Sequence, residues 1–359
     1  MKKIFLILVL IFLFGFILRF YNLGIFPGSL HRDEAFLGYN AYSILSTGKD
    51  MSAKLLPLHL ESFIYSPAGY SYFTIPFILL FDLSEFSVRS ASAFFGALSI
   101  LALYFLVKEL FKRDNLALLS AFFLAISPWH INLSRTATEN VIVVFFLLLG
   151  ILFFVKYLRK GYKYLFISFL CFSITILLYQ APRAFLPIFI PFLIFVFIDR
   201  KKIIKDKFIL GFLYLFLIVL PVIYILSSAD LSLRIKSLSI FENSNTQLLL
   251  TEQITNDGKY GLPYVATRVF HNKIIANLLM FSENYSKHFT FDFLFLDKGF
   301  PDRYRVPQMG LLYVHELPLI LSGLFIMLKK QRRVGLFLLG WLLISPIGSA
   351  LASDDVPNL

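Results

Sequence analysis

The sequence predicts an all-α polytopic membrane protein with about nine transmembrane helices and interfacial helices in its first outer loop. Three observations carry this. Hydrophobic residues make up 58% of the 359-residue chain and charged residues only 16%, against roughly a quarter charged in a soluble protein. Mean hydropathy is +0.75. The apolar residues also fall into runs of about 17 to 25, the length at which a helix crosses the hydrocarbon core. Aromatics at 18% exclude a disordered chain, and a single cysteine, Cys171, excludes a disulfide framework or a Cys-based metal site.

The expected spans lie near 4–20, 88–107, 115–131, 140–157, 164–180, 184–198, 208–226, 312–328 and 334–351. The first opens on Met1-Lys2-Lys3 and lacks a small-x-small cleavage site, so it reads as an uncleaved anchor. A further apolar stretch, 66–81, is interrupted by Pro67, Gly69 and Pro76 and is read as lying in the interface or re-entering, not as a span. Charge decides that placement. With 66–81 outside the count and the amino terminus inside, the cytoplasmic segments hold 18 of the 34 Lys and Arg but four of the 22 Asp and Glu. That side then carries +14 and the other −2, as the positive-inside rule requires. A spanning 66–81 would turn every later basic loop outward.

The whole chain, 1–359, is therefore read as one membrane unit with two sizeable outer segments, 21–87 and 227–311. The cytoplasmic loops are short and carry no Gly-rich phosphate loop. Charges in mid-span mark ion and substrate pathways, yet the spans at 140–155, 164–180, 184–198 and 208–226 contain no Asp, Glu, Lys or Arg. The polar outliers are Arg19, Arg89, Arg135, Glu139, Arg183, His315 and Glu316, all at expected outer ends. Chemistry at the outer boundary, on a lipid headgroup, fits this better than transport does.

In the first outer loop, Phe36, Tyr39, Ala41, Ile44 and Leu45 space out a short amphipathic helix that Gly48 ends. Asp33 stands where it begins, either as an N-cap or as a general base beyond the first span. Neighbouring helical residues point about 100° apart, so Asp33 and Glu34 are expected to differ in role. In the second loop Arg135 and Glu139 lie four apart, which on one helix gives a shared face and a local ion pair. Arg183, in the turn Tyr179-Gln-Ala-Pro-Arg183, reads either as a phosphate contact or as an arginine snorkelling to headgroups. Together Asp33, Glu34 and Glu139 with Arg32, Arg135 and Arg183 suit transfer of a group from a lipid phosphate: a carboxylate takes the acceptor's proton and cations stabilise the departing phosphate. Asp33 and Glu139 are also candidates to hold a divalent metal ion.

The order of these motifs resembles the GT-C membrane glycosyltransferases of the protein-mannosyltransferase and aminoarabinose-transferase type (glycosyltransferase family 39). The matching residues are Asp33-Glu34-Ala35 at the head of the amphipathic helix, the Thr47-Gly48-x-Asp50 turn, Pro57, and Val88-Arg89-Ser90-Ala91 opening the next span. Ser134-Arg135 followed by Glu139, the Tyr179–Arg183 turn, and Asp302-Arg303 to Gly310 before the Pro318-containing span match more weakly. The resemblance implies a polyprenyl-phosphate-linked sugar donor and an inverting transfer on the extracytoplasmic side of the plasma (inner) membrane. The acceptor implied is a lipid, glycan or protein. It matches Asp33, with Glu34 beside it, to the family's catalytic carboxylate and Glu139 to the second acidic loop, while Arg32, Arg135 and Arg183 stand as donor-phosphate candidates on the reading of the residues alone. Many relatives carry Asp in place of Glu139. Family members are also longer, so a truncated gene or fragment is expected. A lipid-linked sugar flippase or an inactive truncated relative is the alternative.

Overall fold

The structure is a computed structural model, and it describes residues 2–61, 66–227, 239–242, 244–261, 263–296 and 310–352. The motif at 302–309, with Arg303 and Arg305, lies outside them. The expected all-α membrane architecture is found. The chain runs α1 (Lys2–Phe20), α2 (Arg32–Thr47), a small hairpin β1 (His59–Leu60) and β2 (Ser66–Pro67), then α3 (Gly69–Phe81), α4 (Glu85–Phe111), α5 (Asp114–Ile126) and α6 (Pro128–Ser134). It continues through α7 (Glu139–Lys160), α8 (Tyr162–Leu178), α9 (Ala181–Phe197), α10 (Arg200–Tyr214), a π-helical segment (Leu215–Val219) and α11 (Leu220–Ser227). Beyond these lie α12 (Ser244–Lys259), α13 (Tyr264–Phe270), α14 (Lys273–Lys287), α15 (Phe291–Phe295), α16 (Glu316–Lys330), α17 (Arg332–Ile344) and α18 (Ile347–Ala350).

Each expected span is largely helical, although length and apolarity alone do not give nine crossings. Among the described residues five helical runs are long and apolar enough to cross a membrane: Lys2–Phe20, Glu85–Phe111, Glu139–Lys160, Arg200–Ser227 and Arg332–Ala350. The stretch read as one span at 115–131 is two helices, α5 and α6, bent by 58°, and makes a sixth if counted as one crossing. Pro128 explains the bend: it lacks the N–H that would continue α5 and fits instead at the first position of α6. The π-helical segment after α10 keeps Arg200–Ser227 continuous. Gly69–Phe81, Tyr162–Leu178 and Ala181–Phe197 are apolar but only 13 to 17 residues long.

The largest core joins α4, α7, α8, α9, α10 and α17 through Phe154, Phe169, Phe172, Phe189 and Phe337. By contrast α1 is exposed along most of its length, with Phe5, Leu10, Phe14 and Ile17 turned outward, as suits a helix facing lipid. A second core, built on Leu37, Ile44, Tyr70, Val88 and Ile142, seats α2 and α3 on α4 and α7 at the end opposite the basic loops. There α2 approaches α4 so closely that a Cβ on Gly38 would overlap Val88. The candidate residues stand on this platform.

Candidate active site

The amphipathic helix forms as its spacing predicts and stops at Gly48, which sits at φ 73° where a side chain would be strained. Its cap differs from expectation. His31 is the N-cap residue: its Nδ1 accepts from Asp33 N–H at 3.2 Å, and Glu34 Oε2 accepts from His31 N–H at 3.0 Å. Asp33 lies inside the first turn, where the helix dipole favours its negative charge. Its side chain is 44% exposed, whereas that of Glu34 is 3% exposed. The two carboxylates thus diverge as their adjacency requires: Asp33 meets the surroundings and Glu34 enters the protein.

Inside, Glu34 meets Arg89, in the second turn of α4. Arg89 Nε and Nη2 donate to Glu34 Oε1 and Oε2, each at 3.1 Å, in a bidentate pair. The rest of the guanidinium reads the chain just after α1, donating to the carbonyls of Pro27 at 2.7 Å, Gly28 at 3.0 Å and Leu23 at 3.3 Å. Glu34 Oε1 also accepts from Ala137 N–H at 2.8 Å. One ion pair therefore ties α2, the turn after α1, α4 and the second loop together. Burial alone would raise the Glu34 pKa. The hydrogen bonds from Arg89, Ala137 and His31 outweigh it and hold the carboxyl below its ordinary value.

Two further arginines brace the same corner reciprocally. Arg19, at the end of α1 and fully buried, donates to Leu124 O and Ala125 O at the end of α5 and meets His130 Nδ1 on α6 at 2.8 Å. Arg135, just after α6, donates back to Leu18 O and Arg19 O at 3.1 and 3.2 Å and to Phe26 O at 2.8 Å. Arg135 thus meets carbonyls at the negative end of α1, and Arg19 meets those at the negative end of α5. Arg135 and Glu139 do not share one helix, because α6 ends at Ser134 and α7 starts at Glu139. The expected local pair on a common face is replaced by this brace.

Arg183 does not snorkel. It is 6% exposed, donates from Nε to Ile176 O at 3.2 Å and meets His59 Nε2 at 2.9 Å. It lines an apolar cleft of about 300 Å³ between α9, α11 and α18, with Tyr179, Val222, Leu226, Phe241 and Leu351 in its walls. Arg32 lies elsewhere, 3.9 Å from Asp33 Oδ1, on the rim of a wider depression lined by Phe36, Tyr39, Met51 and Glu85. The six sequence candidates thus divide. Arg32 and Asp33 are exposed neighbours, Glu34 and Arg135 are built into the frame, Glu139 opens α7, and Arg183 faces the cleft. Among the described residues, no three His, Cys, Asp or Glu side chains cluster to hold a metal ion.

His59 escaped the sequence reading. Burial, and then the positive charge of Arg183, push its pKa down to about 4, so in the folded protein the imidazole is neutral near pH 7. The unfolded chain binds a proton at about 6.5. Stability from this site is therefore complete above about pH 6.5 and is lost as pH falls toward 4. Denaturation midpoints between pH 4 and 7 are expected to fall less steeply for His59→Gln than for the unsubstituted protein; equal slopes would remove His59 from this role.

Comparison with known proteins fits the geometry. A family model described as dolichyl-phosphate-mannose-protein mannosyltransferase matches residues 66–225. Over 97% of its length the chain superposes on archaeal oligosaccharyltransferase AglB from Archaeoglobus fulgidus, in complex with an inhibitory peptide and a dolichol-phosphate, with TM-score 0.54 and 17% identity. The superposition shows a shared fold. A second structure of the Archaeoglobus enzyme, tethered to an acceptor peptide containing the NVT sequon, gives TM-score 0.53, 17% identity and the same 97% coverage. An uncharacterized protein of Aquifex aeolicus (strain VF5) is 26% identical over 220 residues, 61% of this chain. The chain spans 42% of the Aquifex protein and about half of the archaeal enzyme, 50% and 49% in the two structures.

Proposed function

We propose that this protein is an inverting glycosyltransferase of the GT-C type in the plasma (inner) membrane. It takes a sugar from a polyprenyl-phosphate carrier and passes it to a lipid, glycan or protein acceptor on the extracytoplasmic side, with its amino terminus in the cytoplasm. The observation that carries this is Asp33, a 44% exposed carboxylate in the first turn of a helix that the buried Glu34–Arg89 pair holds in place. In the reaction the acceptor oxygen attacks the sugar's C1 from the face opposite the phosphate. The bond from C1 to the phosphate oxygen breaks, the polyprenyl phosphate leaves with that electron pair, and the acceptor's proton passes to the Asp33 carboxylate.

The cleft at Arg183 suits the donor: its walls are apolar, as a prenyl chain needs, and the guanidinium supplies positive charge for a phosphate. Arg32, 3.9 Å from Asp33 Oδ1, is the cation beside the base. Arg135 and Glu34 serve by holding the loop. Asp33 and Glu139 are oxygen donors of the kind Mg²⁺ and Mn²⁺ accept, and such ions commonly bind through one or two carboxylates plus phosphate oxygens. Asp33 and Glu139 are the carboxylates that would hold such a metal, and its charge would offset that of the leaving phosphate. Chelation with EDTA is then expected to depress transfer and Mn²⁺ or Mg²⁺ to restore it; full activity in EDTA would leave the phosphate to the arginines.

The reading is tested by supplying the purified chain, in lipid, with a labelled polyprenyl-phosphate sugar and a membrane extract as acceptor source. Covalent appearance of label on an acceptor is the expected result. Movement of the intact labelled lipid across the bilayer without covalent transfer would instead establish the flippase reading.

A further inference from the structure

Helix α14 turns two asparagines toward the protein and aliphatic side chains away from it, alongside exposed Ser282 and Ser286. Its inward positions are Asn277 and Asn284, 9% and 4% exposed, while Ile274, Leu278 and Leu279 are 79%, 61% and 65% exposed. A helix on the surface of a soluble domain has the opposite arrangement. The inversion is held by specific bonds, since Asn284 Nδ2 donates to Ala352 O at 2.9 Å and to Ala350 O at 3.4 Å. Next along the helix, Tyr285 Oη donates to Leu343 O at 2.7 Å. Leu343 lies in the last turn of α17, and both it and Leu342 are exposed. The bond therefore fixes α14 at the end of the last membrane-crossing run, beside that helix's lipid-facing surface and remote from its basic start at Arg332-Arg333. Lys273 and Lys287 stand at the two ends of α14, and Val269 and Phe270 prolong the exposed apolar surface into the end of α13.

We propose that α14 is an interfacial helix whose Ile274–Leu278–Leu279 face lies in the headgroup–acyl boundary of the bilayer, with its terminal lysines among lipid phosphates. Three features select lipid as the occupant. Depth is set by the bond to α17. An exposed aliphatic arc with lysines at its ends is the pattern of helices that lie in the interface. Three aliphatic side chains also fall well short of the roughly 800 Å² per partner that a stable protein interface buries. The helix borders α18, which forms one wall of the Arg183 cleft, so it sets the level at which that cleft meets the membrane. The inference does not depend on the proposed transfer reaction.

The test uses the full chain with Cys171→Ser and one new cysteine at a time along α14, labelled with an environment-sensitive fluorophore. The protein is placed in nanodiscs of phosphatidylcholine and phosphatidylglycerol. Labels at Ile274→Cys, Leu278→Cys and Leu279→Cys are expected to shift to the blue and to be quenched by a lipid-borne nitroxide. Labels at Lys273→Cys and Glu283→Cys are expected to be quenched by iodide in the water. Three independent apolar positions guard against one variant that fails to fold. Iodide quenching without nitroxide quenching at all three would place the face in water and overturn the proposal. Shielding from both quenchers, with energy transfer between labelled copies in one disc, would assign the face to a second chain and also overturn it.

Discussion

Asp33→Asn is expected to abolish sugar transfer while leaving the protein folded. The substitution keeps the shape of the side chain and removes only the ability to take a proton. A positioned general base contributes about 10²–10⁴-fold to rate, so turnover should fall by that factor. Stability should hardly change, because the helix cap is His31 and the buried ties belong to Glu34. The losses in the fold include the interaction with the helix dipole, about 0.3–1 kcal/mol for an exposed group, and exposed ion-pair contacts with His31 and Arg32, which are worth little in water. Measuring transfer and thermal unfolding on the same preparation separates the outcomes. Wild-type turnover in the Asn variant would remove Asp33 from the chemistry. Lost stability at retained turnover would make it a structural residue of the helix start.

The helix that carries Asp33 was legible because its signals are local: apolar residues at helical spacing, a glycine stop and two acids in the first turn. Its cap was misread for want of a usual capping side chain, although Glu34 three residues after His31 is the second half of a capping box. Pro128 marked the break that divides the stretch 115–131, and apolar length alone concealed it. The roles of Glu34 and Arg135 were out of reach for another reason. Glu34 meets Arg89 across 55 residues of sequence and Ala137 across 103, while Arg135 reaches back 117 residues to Leu18. Which of two adjacent acids faces inward depends on how α2 is rotated against α4, and close packing of Gly38 on Val88 sets that rotation. The one clue in the sequence was Arg89 itself. A cation among Val, Ser and Ala at the head of an apolar span is expensive to bury unless a carboxylate comes to it.

That expense gives the second large effect. Glu34→Gln and Arg89→Met each leave one charge buried without its partner, and a broken buried pair costs about 3–5 kcal/mol. Both single variants are expected to lower the denaturation midpoint strongly and to lose transfer with it, because loop and helix lose their common tie. Glu34→Met with Arg89→Met together should behave differently. Two apolar side chains of similar size in this dry corner can recover most of the stability, since a buried pair is often no better than a hydrophobic replacement. Transfer should stay low in the double variant. The carbonyls of Leu23, Pro27 and Gly28 and the N–H of Ala137 would then have nothing to fix the loop relative to the second one. The pH dependence follows from the same bonds. With its pKa held below the usual carboxylate value, Glu34 contributes stability that is complete above the unfolded pKa and is lost as pH falls through the folded one. The unsubstituted protein should therefore lose stability in acid more steeply than the double variant does. Single variants as stable as the parent would show that the pair does not hold this corner. A stable double variant with full transfer would show that the loop finds its place without it.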